Sequence, residues 1–254
     1  MRIKRSILLL VVFSFIVNFV TLTHAQTYNV KDIVKKIDEL YRSKTSYAKI
    51  EMQIETPNWK RSLNMEAWTM EKDKAFILIN SPKKEQGTAT LRIKNEMWNY
   101  LPNTDKVMKI SPSMMMGSWM GSDFTNDDLV HEFSMVEDYD YTLINPEVPQ
   151  PDLLYIEFVP KENLPVVWGK IIVAVRKSDY IPVWQKYCDE KGNLMRLMNY
   201  KDIKVFSGRK IPSIMEMIPQ NKEGHKTVIK YLEATFDSKL DDNIFTLRNL
   251  QKKR

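Results

Sequence analysis

The sequence predicts a mainly β protein with a few helices, built on one large antiparallel sheet that curls into a barrel or half-barrel. Segments of alternating polarity follow one another from residue 48 to residue 236, and few helical patterns interrupt them. Short turn sequences join most neighbours, which makes them antiparallel hairpins. About eleven long strands are too many for a flat open sheet, so the sheet should curl, and a helix can plug its interior.

The composition is that of an ordinary globular protein. The chain has 254 residues, 43% of them hydrophobic and 28% charged, which excludes a disordered chain, a collagen and a multi-pass membrane protein. Lys and Arg number 38 against 32 Asp and Glu, for a net charge of +6. Part of this excess lies in the first 25 residues, so the remainder is too weakly basic to indicate nucleic-acid binding.

Residues 1–25 have the pattern of a secretory signal peptide. Arg2, Lys4 and Arg5 form a basic start, residues 6–20 are apolar, and a small residue, Ala25, ends the segment. The alternative is an uncleaved membrane anchor. Ser14 and Asn18 interrupt the apolar run, which is also shorter than the ~20 residues of a spanning helix. We therefore expect export to the periplasm and a single domain over residues 26–254.

Two helices are predicted. Residues 29–41 carry apolar side chains on one helical stripe, with Asn29 as the N-terminal cap, and this amphipathic helix is the available plug for the sheet. Residues 127–134 form the second helix, because Thr125 and Asp128 have the spacing of a capping box.

The strand pattern continues to the end of the chain without a linker rich in Gly, Pro or Ser, which favours one domain. The predicted strands cover residues 48–54, 62–71, 75–80, 88–94, 96–101, 106–110, 139–144, 153–159, 169–177, 182–189, 194–206, 210–218 and 227–236.

Catalytic and metal-binding motifs are lacking. After the leader only His131, His225 and Cys188 offer reactive groups, and no nucleophile elbow, P-loop or zinc motif is present. A triad using either histidine is an alternative that no motif supports. The acids between 123 and 132 lack the spacing of a calcium loop. We predict no enzyme, no cofactor and no metal, and a single cysteine excludes an internal disulfide.

Residues 108–124 are unusually rich in methionine, with two glycines and a proline that break any regular element. Unbranched thioethers adapt to apolar ligands of variable shape, so one interpretation is a flexible apolar gate or lining. The other is a loop that folds onto the core as filler. A Cu(I) site is disfavoured, because Met114, Met115 and Met116 are consecutive and no histidine or cysteine is near.

Aromatic side chains are frequent on the strands before this segment, among them Trp68, Phe76, Trp98 and Tyr100. In a β-sandwich they would be ordinary core. In a curled sheet they would line a cavity, where burying an acyl chain gains roughly 0.8 kcal/mol per CH₂ without any catalytic residue.

Four motifs resemble the outer-membrane lipoprotein-sorting family, the LolA/LolB-like periplasmic proteins, in its broader LolA-like branch. They are GTATLRI at 87–93, MWNYLP at 97–102, KIS at 109–111 and SWMGSDFTNDDL at 118–129. The resemblance extends from the helix at Asn29 to Ile244-Phe245-Thr246. It implies an unclosed β-barrel covered by helices, with a hydrophobic cavity for the acyl chains of lipoproteins or other lipids.

The implied function is a soluble, monomeric periplasmic carrier or chaperone that moves such lipids toward the outer membrane. Its expected partners are an envelope transporter or an outer-membrane receptor. The alternatives are a non-enzymatic accessory protein that docks on an envelope lipid transporter without carrying lipid, and an envelope hydrolase. The candidate lipid-binding residues, as cavity lining or gate, are Trp68, Phe76, Trp98, Tyr100, Met108, Met114, Met115, Met116, Trp119, Met120 and Phe124.

Overall fold

A computed structural model describes residues 28–130 and 134–253, so the predicted leader lies outside the described residues. Within these ranges thirteen strands form one antiparallel sheet that is not closed into a barrel, as the sequence predicted. The strands are β1 (Thr45–Glu55), β2 (Lys60–Met70), β3 (Lys74–Ser81), β4 (Ala89–Ile93), β5 (Glu96–Leu101), β6 (Lys106–Lys109), β7 (Tyr139–Ile144), β8 (Leu153–Pro160), β9 (Lys170–Arg176), β10 (Pro182–Cys188), β11 (Leu194–Phe206), β12 (Arg209–Pro219) and β13 (Lys226–Phe236).

Two meanders make up this sheet. Strands β1 to β6 pair in chain order, as do β7 to β13, and β1 pairs with β13 to join the two halves. The free edges are therefore β6 and β7, which are consecutive in the sequence. The connection between them, residues 110–138, is called the crossover segment below. It has to run from one edge of the sheet to the other.

The crossover segment shows which way the sheet curls. It contains α2 (Asn126–Val130), where the Val130 carbonyl accepts from Arg92 of β4 and Asp128 binds Arg196 of β11. In a flat sheet β4 and β11, six strand positions apart, would be separated by about 29 Å. Along the axis of α2, Asp128 and Val130 are separated by only about 3 Å. The sheet must therefore curve around the crossover segment, whose side we call the inner face.

The two faces of the sheet carry separate cores. On the inner face, Met97 and Ile79 pack with Trp119 of the crossover segment. On the outer face, Phe76 and Tyr100 pack with the C-terminal segment, which contains a 3₁₀ turn (Asp242–Phe245) and α3 (Leu247–Leu250). Because successive side chains of a strand point to opposite faces, β3 is apolar on both sides, with Phe76 on the outer face and Ile79 on the inner face.

The N-terminal helix α1 (Val30–Glu39) confirms the amphipathic prediction, and the Asn29 side chain caps it by accepting from the Lys31 amide. Its buried residues Ile33 and Val34 pack on the inner face of β8 and β9, where Ile156 is fully buried. This helix covers only part of the inner face, and the crossover segment covers the region near β1 to β5. Among the described residues, no helix combines the length and the apolar character needed to span a bilayer.

Candidate functional site

The inner face encloses a pocket beneath the crossover segment, here called the inner pocket, with a volume of about 240 Å³. Crossover residues Phe124 and Met135 form its apolar roof, and its floor is apolar side chains of the sheet. The polar side chains in the lining are Asp127, Asp128, Gln185 and Arg196. The floor residues are Ile171 of β9, Met198 of β11 and Met217 of β12.

An ion pair closes one side of this pocket. Arg196 donates two hydrogen bonds to the Asp128 carboxylate, at 2.9 and 2.6 Å, and its side chain is only 8% exposed. Its guanidinium carbon lies 4.2 Å from the ring centre of Trp168 and 4.6 Å from that of Tyr187. A planar cation stacked between aromatic rings and paired bidentately is held in a single orientation.

The charges of this pair are firmly held. Burial raises the pKa of Asp128, but the hydrogen bonds from Arg196 and Thr125 outweigh it and leave this pKa below its usual value. Burial lowers the pKa of Arg196, and the hydrogen bond and charge of Asp128 reverse this, so its pKa is raised. Burial also raises the pKa of Tyr187 to about 12. Asp128 and Arg196 are thus both charged at neutral pH.

A second, smaller cavity of about 140 Å³ lies on the other side of the pair and is called the vestibule. Five residues line both cavities and form the partition between them: Asp127, Asp128, Val167, Trp168 and Arg196. Met116 and Lys222 belong to the vestibule alone. Met116 of the vestibule is 54% exposed and Val167, which lines both cavities, is 47% exposed, so both cavities border the surface.

Three further contacts anchor the crossover segment to the inner face. The Trp119 indole donates to Thr90 Oγ1 of β4 at 3.1 Å. Asp123 accepts from Thr227 Oγ1 of β13 at 2.7 Å. The Arg61 guanidinium of β2 donates to the Met120 carbonyl. Together with the ion pair, these contacts tie one short segment to four different strands.

Local sequence explains how the segment folds. Asp128 accepts from the Thr125 amide at 2.8 Å, and Thr125 Oγ1 accepts from the Asp128 amide at 3.1 Å. This confirms the predicted capping box at the start of α2. The following residues 131–133 lie outside the described part of the chain, as does His131 with them. Gly121 has φ of +72° beside Arg61, a left-handed conformation that glycine adopts without strain.

Four predicted lining residues are on the other face of the sheet. Trp68, Phe76, Trp98 and Tyr100 belong to the outer core beneath the C-terminal segment. Trp98 is directly opposite Leu91 in the ladder, whereas the inner-facing neighbour Thr90 binds Trp119. The structure does not bring these four residues to the inner pocket. They form an aromatic core where the sequence also allowed one.

The other seven predicted residues separate into buried and exposed groups. Trp119 is buried in the inner core, with Met115 and Met120 packed partly against it. Phe124 alone of the eleven lines the inner pocket, and Met116 alone lines the vestibule. Met108 and Met114 are exposed, at 38% and 40%.

The pocket residues that sequence reasoning missed are Arg196, Trp168 and Tyr187. The sequence predicted only helix capping for Asp128, whereas the same carboxylate also pairs with Arg196. Local patterns gave no signal for this ion pair, because Arg196 lies 68 positions further along the chain. An arginine at an inward position of a strand predicted to be half buried was the one available hint.

The residues that line the inner pocket indicate a binding site and not a catalytic site. His225 Nδ1 lies 3.6 Å from Asp123 Oδ1, but neither residue lines the inner pocket. Across residues 28–130 and 134–253, no group of three or more His, Cys, Asp or Glu side chains is placed to hold a metal ion.

Comparison with known proteins supports the sequence resemblance. A family model described as "Uncharacterized protein" matches residues 71–252. The structure is similar to a DUF1329 family protein from Desulfovibrio piger, with 25% identity, 87% of this chain and 97% of that chain covered, and a TM-score of 0.77. A search of curated proteins by sequence gave no match.

Two further solved structures share the fold. A putative outer membrane lipoprotein-sorting protein domain from Vibrio parahaemolyticus is 23% identical, with 87% and 98% of the two chains covered and a TM-score of 0.73. A LolA superfamily protein from Nitrosomonas europaea is 19% identical, with 88% and 100% covered and a TM-score of 0.71.

Proposed function

The chain belongs to the family of uncharacterized proteins whose model matches residues 71–252, and from this premise we propose that it is a non-enzymatic periplasmic carrier of acyl lipids. Its LolA-like fold is shared with a lipoprotein-sorting domain. The ligand is the acyl portion of a lipoprotein or another lipid, bound on the inner face and moved toward the outer membrane. The predicted leader over residues 1–25 supports export.

The inner pocket is the single observation on which this proposal chiefly rests. Apolar side chains of the crossover segment and the sheet form much of its lining, and three of them are methionines, Met135, Met198 and Met217. Flexible thioethers repack around chains of different length and shape. Each CH₂ transferred from water to such a surface gains roughly 0.8 kcal/mol, so affinity accumulates along the chain without polar contacts.

The pocket has to expand to receive a long chain. Its volume of about 240 Å³ is smaller than the roughly 300–1,000 Å³ of typical ligand pockets. Its roof belongs to the crossover segment, whose described residues form only short helical elements and are attached to the sheet by polar contacts and by the packing of Trp119 and Val130 in the inner core. Displacement of this segment would therefore enlarge the pocket without unpairing any strand.

The proposal is tested by lipid extraction and mass spectrometry of protein purified from its producing cells without detergent. We expect acyl lipids or lipopeptides in near-stoichiometric amounts. Phe124→Asp places a charge in the roof, and we expect it to lower the bound lipid at least fivefold. Val205→Asp is the matched control, because Val205 is 65% exposed on β11, and it should retain lipid. A folded wild-type protein that never carries or takes up lipid would refute the proposal.

A second candidate function is an accessory protein that docks on an envelope lipid transporter without carrying lipid. The small volume of the inner pocket favours it, because a filled interior suits a structural role. This candidate predicts a stable complex with a membrane partner and no lipid uptake from vesicles. Lipid uptake that Phe124→Asp abolishes would decide against it.

A further inference from the structure

A separate cavity of about 480 Å³ opens near the end of α1 and is called the mouth cavity. Tyr41 and Tyr231 form one wall, with ring centres 5.9 Å apart and planes inclined by 23°. Ser46 and Thr69 lie on the neighbouring strands β1 and β2, where their hydroxyls are hydrogen-bonded at 2.6 Å. This cavity already has the size of a ligand pocket.

The mouth cavity and the part of the crossover segment around Met120 lie toward opposite ends of the same strands, whereas Glu137, near the end of that segment, reaches Lys72 at the mouth. Ser46 at the mouth and Ile54 are eight residues apart on β1, or about 26 Å. Ile54 is paired with Arg61, which holds the Met120 carbonyl. A ligand in the mouth cavity would therefore enter the curled sheet from the end away from the vestibule.

A band of tyrosines separates the mouth cavity from the inner pocket. Tyr200 lies between them: its hydroxyl donates to Gln185 Oε1 at 2.8 Å, and Gln185 lines the inner pocket. Burial first, and then the nearby Tyr187, Tyr41 and Tyr231, raise the pKa of Tyr200. Tyr200 is two residues from Met198 on β11, and both Met198 and Gln185 line the inner pocket, so Tyr200 lies at the edge of that pocket.

We propose that the mouth cavity is a second compartment of the lipid site, which holds the polar headgroup while the acyl chain passes the tyrosine band into the inner pocket. This inference rests on the proposed function. The hydroxyl groups of Ser46, Thr69, Tyr41 and Tyr231 are the hydrogen-bonding groups that these residues offer to a headgroup. The inner pocket provides the methionine-rich surface for the chain.

The rim of the mouth cavity specifies the class of headgroup. It carries the cations Arg42, Lys44 and Lys72 together with the acids Glu39 and Glu71. Charges of both signs around one opening match a zwitterionic headgroup, whose phosphate and ammonium find opposite partners. Lys72 pairs with Glu137 and Glu39 pairs with Lys35, and all four side chains are more than half exposed, so exchanging these partners costs little. Arg42 is held by Asp38 and contributes its charge from that fixed position.

Photo-crosslinking tests this arrangement. Phosphatidylethanolamine is prepared with a diazirine either on the headgroup or at the end of one acyl chain, bound to detergent-free protein and irradiated, and the labelled peptides are identified. We expect the headgroup probe to label peptides with Tyr41, Thr69 or Tyr231, and the chain-end probe to label peptides with Trp168 or Met198. Labelling of the vestibule by the headgroup probe would overturn the inference and leave the proposed function standing. Absence of labelling by both probes would count against the proposed function itself.

A pair of variants makes the test specific for the mouth cavity. Thr69→Trp fills this cavity, and we expect labelling by the headgroup probe to fall at least tenfold. Ser46→Leu is a smaller change at the same place, with a loss of at least threefold expected should the tryptophan variant fail to fold. Thr235→Trp is the control, because Thr235 is exposed on the outer face of β13. Folded mouth variants that are labelled like the wild type would overturn the inference.

The headgroup class is tested by competition between unlabelled lipids. Phosphatidylethanolamine should displace the headgroup probe at a concentration at least fivefold lower than phosphatidylglycerol of the same chain length. Equal or reversed potency would overturn the assignment of a zwitterionic headgroup.

Discussion

Asp128 and Arg196 are 68 positions apart in the sequence and form a two-hydrogen-bond ion pair that attaches α2 to β11. The same carboxylate accepts from Thr125 and caps α2. One side chain thus starts the helix of the crossover segment and fixes that helix over the inner pocket. Loss of this carboxylate should destabilise both the start of α2 and the attachment of α2 to β11.

Asp128→Ala is expected to lower the free energy of unfolding by about 3–5 kcal/mol, because it leaves the buried guanidinium of Arg196 without its counter-charge. Denaturation by urea, followed by circular dichroism, measures this loss. Glu137→Ala is the control, since its pair with Lys72 is exposed and is worth at most about 1 kcal/mol. Equal losses in the two variants would show that the Asp128 pair is not specially stabilising.

Docking of the crossover segment should not change between pH 5 and pH 9. Because the pKa of Asp128 is lowered from its ordinary value of 3.8, its contribution to stability is present above that value and is lost as the pH falls through the lower folded-state pKa. The protection factors of residues 111–130, which correct exchange for its intrinsic pH dependence, should therefore fall only below about pH 3.8. A fall in these protection factors already near pH 6 would identify another titrating group as the controlling one.

Trp119→Phe is expected to cost about 0.5–1.5 kcal/mol of stability through loss of the indole hydrogen bond to Thr90. It should also speed hydrogen exchange in the crossover segment. Trp98→Phe is the matched control, because Trp98 lies on the outer face of the same sheet region. Its exchange pattern over residues 111–130 should stay that of the wild type, and a change there would contradict the assignment of the two faces.

Met116 and Met114 separate the gate interpretation from that of a passive loop. Both are exposed, at 54% and 40%, but only Met116 lines the vestibule. Because the lipid is proposed to enter through the mouth cavity, Met116→Asp and Met114→Asp should both leave the rate of lipid uptake from vesicles unchanged, with stability changed by less than about 0.5 kcal/mol. Slowing of at least threefold in Met116→Asp alone would make the vestibule the route and contradict entry through the mouth cavity.

Local patterns in the sequence were sufficient to predict the individual strands and helices. The bounds of β5, β7 and β11 coincide with the predicted ones, because alternation and flanking turns act over a few residues. The capping box of Thr125 and Asp128 was readable for the same reason. The resemblance to the LolA-like family likewise rested on contiguous motifs only.

The face on which the aromatic residues lie was decided by the tertiary structure. Alternation places Phe76 and Ile77 on opposite faces of β3, but both are apolar, so the sequence does not say which face is inside. The crossover segment covers one face and the C-terminal segment covers the other. Both coverings come from residues distant in the chain, and no local pattern encodes them.

The sequence by itself thus determined the strands, their hairpin order and the family. The pairing of β1 with β13, the curvature around the crossover segment and the burial of Arg196 beside Asp128 were decided only by the tertiary structure. The physical reason is the sequence separation of the contacts. Periodicity and capping depend on neighbours in the chain, whereas a pocket is assembled from strands that become close only when the whole sheet curls.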